Sequence, residues 1–237
     1  MIRTALDTLN GLLDLVYPPK CLTCDAIAAD YICALCLRGI EHVHRPYCRR
    51  CGQSMRGFRC RNCWGRVASF THARAVGQYS GVLRKAVHEL KYGGKRMLAS
   101  PLGDLLYTYL EKRCDFPWRR ASCVVPVPIH PARERVRGYN QSELVAERLS
   151  ELTGLPLVGG NLVRASRTKP QVALSPEERR KNVKAVFRVR DSDAVRGRIV
   201  LLVDDVATTC STIHECSLAL LKAGAERVYA VCIAFGG

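Results

Sequence analysis

The chain has 237 residues, 48% hydrophobic and 24% charged, with a formal charge of +16 and thirteen cysteines. This is the composition of a globular protein with room for one substantial core and a smaller module, and no stretch approaches the roughly 18 uninterrupted apolar residues of a membrane span. The basic excess, much of it arginine, points to phosphate-bearing partners such as nucleic acid or phosphorylated small molecules, and does not choose between them.

The N-terminal "MIRTALDTLNGLLDLVY" lacks the apolar core of an export signal, because Asp7, Asn10 and Asp14 interrupt it. Its Ile2, Leu6, Leu9, Leu13 and Val16 recur at helical spacing, which predicts an amphipathic helix within residues 1–20. Its apolar stripe suits packing on the body of the protein or a partner. Eight cysteines follow between Cys21 and Cys63 as CxxC pairs. Without an export signal, metal binding accounts for them better than a disulfide scaffold does, and a reducing cytoplasmic location is expected.

The pairs form an internal repeat. "CLTCDAIAADYICALC" and "CRRCGQSMRGFRCRNC" both read C-x2-C-x8-C-x2-C. Each CxxC turns two thiolates toward one ion, and two such knuckles complete a tetrahedral shell of four sulfurs around zinc. Two structural zinc sites are expected over residues 21–66, with every ligand position filled by protein. Sequential sites, Cys21/Cys24/Cys33/Cys36 and Cys48/Cys51/Cys60/Cys63, agree with the repeat, while sites interleaving the two repeats stay open. His42 and His44 are expected at the surface rather than as ligands. Arg49, Arg50, Arg59 and Arg61, with Tyr47, Phe58 and Trp64, make a surface on which single-stranded DNA could stack. The same aromatics could instead cover the small core.

From residue 67 to 237 helix and strand patterns alternate. "FTHARAVGQY" reads as a strand, then "SGVLRKAVHELKYGG" and "MLASPLGDLLYTYLEK" as helices. "SCVVPVPIH" is a buried strand ending in prolines. "SELVAERLSEL" is a helix capped by Asn140 or Ser142 and stopped at Gly154. "GRIVLLVDD" is a parallel core strand, "TIHECSLALLKAG" a helix, and "RVYAVCIAF" a strand. This order predicts a mostly parallel sheet with helices on both faces, whose ligands bind at the carboxyl ends of the strands.

The segment "LLVDDVATTCST" is where chemistry concentrates. A Walker B strand would require GxxxxGK[ST] upstream, and the chain has none. Instead Ala207 to Thr212 are expected to turn into a helix, aiming backbone N–H groups and the hydroxyls of Thr208, Thr209, Ser211 and Thr212 into one concavity. That suits a phosphate dianion, and the carboxylates of Asp204 and Asp205 beside it suit vicinal sugar hydroxyls. A 5-phosphorylated ribose carries both features. A capped helix after a core strand is the plainer alternative.

"VLLVDDVATTCST" resembles the phosphoribosyl pyrophosphate (PRPP) motif of type I phosphoribosyltransferases. With "VPVPIHPARERVRGYNQSELVAERL", "RTKPQVALSPEERRKNVKAVFRV", "LKYGGK" and the cysteine repeats, the chain is similar over nearly its whole length to the ComF/GntX family of competence-associated proteins. The resemblance implies a Rossmann-like, type I phosphoribosyltransferase-like α/β fold behind an N-terminal double zinc ribbon. It implies that Asp204 and Asp205 hold the ribose hydroxyls, partly through Mg2+, and that Val206, Ala207, Thr208, Thr209, Cys210, Ser211 and Thr212 cradle the 5-phosphate. Arg133, Arg137 and Tyr139, in the loop after "VVPVPIH", would meet pyrophosphate. The segment Arg167 to Arg190, with Lys169, Gln171, Arg179, Arg180, Lys181 and Lys184, would close over PRPP or face nucleic acid; solvated helix charges are the alternative. PRPP and single-stranded DNA or the DNA-uptake machinery are the implied partners. No residue set identifies a nucleobase. Cys210 stands where the family has glycine, which restricts the loop backbone and the approach of an anion.

Overall fold

The structure is a computed structural model describing residues 20–55, 57–60, 62–63, 68–164 and 187–236. The N-terminal helix expected within residues 1–20, Arg61 and Trp64 of the ribbon surface, and residues 167–186 of the basic segment lie outside the described residues.

Within the first cysteine repeat, Ala34–Arg38 forms a one-turn helix, α1. Strand β1 is His72–Gln78, followed by helix α2, Gly81–Tyr92, and helix α3, Ala99–Lys112. Leu83, Ala86, Val87 and Leu90 make the buried stripe of α2, and Leu102, Leu106 and Leu110 that of α3, at the spacing the 3.6-residue period requires. Strand β2, Cys123–Pro126, is fully buried, and its prolines stop it. Helix α4, Pro131–Arg137, occupies the stretch expected to be a loop, because Pro131 opens the first turn and the His130 ring accepts from the Ala132 N–H at 3.1 Å. Helix α5, Gln141–Thr153, is capped by Asn140, whose side chain accepts from the Ser142 N–H. A small antiparallel pair, β3 Leu162–Arg164 with β4 Phe187–Val189, departs from the expected order, since three-residue strands leave no periodicity to read. Strand β5 is Ile199–Ala207, helix α6 is Ser211–Lys222, and β6 is Arg227–Phe235.

The main sheet has the order β1-β6-β5-β2, and each described pairing in it is parallel. Its central strands are nearly continuous apolar runs, as burial on both faces demands. On one face Leu201, Val203, Tyr229 and Val231 pack with α2, α3 and α5. On the other, Val200, Leu202, Val228 and Ala230 pack with Ile213, Cys216 and Leu220 of α6.

The two cysteine repeats straddle the β1 edge. The first, with the residues just after it, contributes Ile32 and Ile40 to the face of α2 and α3, and the second contributes Cys48, Cys51 and Cys60 to the face of α6. The chain beside β1 is tied to it at two points, with the Gln78 N–H donating to the Glu41 carbonyl at 2.7 Å and the Ala73 N–H to the Arg50 carbonyl at 2.7 Å. Gly77 allows this approach, since a Cβ there would lie 2.5 Å from the Glu41 carbonyl oxygen. The ribbon thereby covers a sheet edge that would otherwise offer unpaired backbone groups.

Candidate functional site: a buried acid pair, an uncapped helix and two four-cysteine centres

The cysteines resolve into the two sequential groups. In each, the four sulfur atoms lie within 4.8 Å of one another. Tetrahedral zinc with Zn–S bonds of about 2.3 Å needs sulfur–sulfur edges of about 3.8 Å. The observed separations are 3.8 Å for Cys21–Cys36, 3.7 Å for Cys24–Cys33 and 3.5 Å for Cys51–Cys60, so the donor sets fit structural zinc and interleaving is excluded. His42 belongs to neither group, and its Nδ1 lies 2.9 Å from the Val76 carbonyl oxygen.

A buried arginine pins the second repeat to the sheet. Arg74 of β1 donates to Asp115 through Nε at 2.6 Å and Nη2 at 3.0 Å, and also to the Arg49 carbonyl at 2.9 Å. Tyr47 joins this network, with its hydroxyl donating to Asp115 at 3.0 Å and its ring under the Arg74 guanidinium. Tyr47 is therefore half-buried and committed to this network, whereas Phe58 is fully exposed.

The acid pair lies on β5. The ladder of that strand with β6 continues to Ala207↔Phe235, two residues beyond the acids. Asp204 and Asp205 thus sit in the carboxyl half of the strand, and Val206 and Ala207 belong to the strand instead of the turn. The Ala207 carbonyl accepts from the Gly236 N–H at 2.8 Å. Both acids are buried and point to opposite sides of the strand. Asp204 Oδ1 accepts from the Ser142 hydroxyl at 3.1 Å and from the Asp205 N–H at 2.9 Å. Asp205 Oδ1 lies 2.8 Å from Lys91 Nζ, while its buried Oδ2 has no hydrogen-bond partner among the described residues. Burial, then the charge of Asp205, pushes the Asp204 carboxyl up to about 7.

The turn itself is short, Thr208 to Cys210, and α6 starts at Ser211 without a side-chain cap. Its first-turn N–H groups are consequently available to an anion. Thr208, Thr209, Ser211 and Thr212 are exposed, and the Thr209 and Ser211 hydroxyls lie 2.8 Å apart. Cys210 adopts φ 56° and ψ 16°, a left-handed conformation that costs a side-chain-bearing residue about 1–2 kcal/mol. Its side chain is buried in the same cluster as Cys48, Cys51 and Cys60 of the second four-cysteine group.

The remaining expected site residues divide. Arg133 is exposed on α4. Arg137, in the last turn, bonds the Gln141 side chain and lies over the Tyr92 ring at 5.4 Å. Tyr139 faces inward: it is 7% exposed and its hydroxyl donates to the Leu90 carbonyl. Beside α4 a cavity of about 600 Å³ is lined by Arg164, Arg188, Arg190, Glu134 and Glu143, among others. Three neighbours of the site carry no role in the sequence reading. Lys91 lies within "LKYGGK" without an assigned function, Ser142 reads only as a cap, and Asn62 lies inside a knuckle. Asn62 donates to the Thr208 carbonyl at 3.0 Å. The LKYGGK motif is the available signal for Lys91.

A paired ribbon of two four-cysteine centres on the edge of a parallel α/β sheet, with buried acids near the carboxyl end of a central strand, defines a ribbon-bearing α/β protein. The double zinc ribbon domain family matches residues 12–64. The chain is 30% identical to competence protein F of Haemophilus influenzae over 216 residues, covering 88% of this chain and 93% of that protein. It is 30% identical to the DNA utilization protein YhgH of Escherichia coli K12 (92% of this chain, 98% of that protein) and 26% identical to ComFC of Bacillus subtilis (82% and 80%). The chain belongs to the ComF family of competence-associated proteins. Among solved structures it is similar to the allosteric regulatory enzyme of purine biosynthesis, 22% identical with a TM-score of 0.41 over 57% of this chain and 26% of that one. A purine phosphoribosyltransferase from Pyrococcus horikoshii is 18% identical with a TM-score of 0.35 over 58% and 72%. Among the described residues no helix is long and apolar enough to cross a membrane.

Proposed function

We propose that residues 67–237 form a phosphoribosyltransferase-like domain that binds PRPP or a related phosphorylated ribose at the β5–α6 turn, behind a zinc-ribbon module of residues 21–66. The observation that carries the reading is the juxtaposition on β5 of two buried acids, one with a carboxylate oxygen unpaired among the described residues, and an uncapped helix start after a short turn. Thr208, Thr209, Ser211, Thr212 and the first N–H groups of α6 would take the 5-phosphate. Asp204 and Asp205 would take the sugar hydroxyls. The Oδ2 of Asp205 also fits a cation, and Mg2+ held there would neutralise pyrophosphate charge. Lys91 pairs with the other oxygen, Oδ1, in the resting protein, and a sugar hydroxyl or cation that used both oxygens would have to loosen that pair. Arg133 and Arg137, on α4 in place of a loop, would supply charge toward a polyphosphate.

A second reading is favoured by the arginine-lined cavity beside α4. There an anionic acceptor would attack C1 of the ribose as pyrophosphate leaves. The chain would contribute positioning and electrostatic stabilisation, and the reaction would be phosphoribosyl transfer. The names of these relatives, competence protein F and DNA utilization protein, and the basic charge support a role in DNA uptake or use, with single-stranded DNA as a partner.

The test is calorimetric titration of PRPP with Mg2+ into wild type and the Asp204→Asn/Asp205→Asn double variant. Binding by wild type and a loss of about 100-fold or more in the variant are expected, since two charge-assisted contacts are removed. Equal binding by both proteins would sink the assignment.

A further inference from the structure

The second four-cysteine group does more than fold its own repeat. Its neighbourhood and the turn after β5 share a cavity of about 330 Å³, lined by Asn62, Cys63, Thr209, Cys210, Ser211 and His214, among others. Two hydrogen bonds cross between them, from Asn62 to the Thr208 carbonyl at 3.0 Å and from the Ser69 N–H to His214 Nδ1 at 3.0 Å, and Cys210 lies in the same buried cluster as Cys48, Cys51 and Cys60. Among the described residues the first four-cysteine group has no such reach, because its repeat packs on the opposite face of the sheet.

The turn needs this support. A cysteine with φ 56° sits in a region that residues with a Cβ avoid unless their surroundings hold them there. Cys210 is held by packing in the buried cluster that includes Cys48, Cys51 and Cys60, and the Thr208 carbonyl by the knuckle's Asn62. The knuckle keeps that shape only while its four thiolates share a metal.

We infer that metal retention at Cys48/Cys51/Cys60/Cys63 and anion binding at Thr208–Thr212 are thermodynamically linked, with Asn62 and Cys210 as positioning residues between them. The inference rests on the anion-binding reading above and adds a control to it. Linkage is reciprocal: if the metal-held knuckle orders the turn for an anion, the anion must slow loss of that metal. The first site carries no such dependence and serves as an internal standard.

Two measurements on the full zinc-loaded chain test it. In the first, a colorimetric chelator follows release of the two zinc equivalents in Mg2+ buffer with and without PRPP. PRPP should slow one equivalent about five-fold or more and leave the other unchanged, and Cys210→Ala or Asn62→Ala should erase that protection; about five-fold is what one net hydrogen bond contributes. Equal release rates with and without PRPP, at concentrations where calorimetry shows the site filled, would overturn the linkage. In the second, without ligand, hydrogen exchange of amides 207–212 should quicken about five-fold in Asn62→Ala and in Cys210→Ala, while peptides of residues 21–36 stay as in wild type. Unchanged exchange in both variants overturns the inference. Faster exchange with no PRPP binding by calorimetry would instead remove the anion reading and leave the knuckle–turn connection standing.

Discussion

The two cysteine repeats share one spacing and have different surroundings. In the first, Cys24 is exposed and Cys33 and Cys36 are half-buried, and Ile32 and Ile40 of this region join the core beneath α2 and α3. In the second, Cys48, Cys51 and Cys60 are all buried, among Phe70, Phe235 and Cys210. The first is a metal-folded flap on the sheet edge. The second is a metal-folded wedge between that edge and the turn after β5. Identical ligand spacing therefore sets the coordination shell and not the role, since the role follows from which face of the sheet each repeat meets.

The comparison can be broken most directly at the ligands. Cys51→Ser should weaken PRPP binding more than about ten-fold, whereas Cys24→Ser should lower thermal stability and leave binding within about two-fold, because among the described residues it is the second knuckle that touches the turn. Equal effects of the two substitutions on binding would erase the distinction. Next is the pin beneath the second repeat. Arg74→Met leaves Asp115 partly buried without its bidentate partner and frees the Arg49 carbonyl, so a destabilisation of about 3 kcal/mol is expected by denaturant unfolding. Burial works against ionised Asp115, yet the Arg74 hydrogen bond and charge hold its carboxyl below the usual range. That contribution is present at neutral pH and is lost as pH falls through the lowered value.

The acid pair sharpens the comparison by pH. With Asp204 raised to about 7, the carboxyl holds a proton below that pH and a charge above it. Binding that uses the carboxylate should tighten by up to about ten-fold between pH 6 and 8, and Asp204→Asn should flatten the profile. The same shift makes this group's contribution to folding stability greatest at low pH and lets it fall as pH rises from about 4 through 7, because the folded state then holds a proton that the unfolded state has lost. Chemical denaturation across that range reads the slope. The smallest expected effect is Cys210→Gly, which removes backbone strain of about 1–2 kcal/mol and a Cβ from the anion's approach. It should raise PRPP affinity several-fold; unchanged or weaker affinity by calorimetry would show that packing of the buried side chain matters more than the strain.

Much of this molecule is legible in one dimension. The 3.6-residue stripes of α2, α3 and α5, the apolar runs of β2, β5 and β6, and the CxxC repeats are local patterns, and local patterns survive in sequence. The helix at Pro131–Arg137 escapes a sequence reading because its seven residues bury no side chain, so no stripe marks it. Tyr139 reads as a site residue beside arginines and glycine, yet its ring turns inward to the Leu90 carbonyl, a partner 49 residues away.

The sequence by itself determined the ligand shells, the helix stripes and the acid-bearing strand, because each is written in residues a few positions apart. Only the tertiary structure decided that the repeats lie on opposite faces of the sheet beside β1, that Lys91 answers Asp205, and that Asn62 reaches the turn at Thr208. Those last two pairings join residues separated by more than about a hundred positions, and chain packing alone brings them within bonding distance.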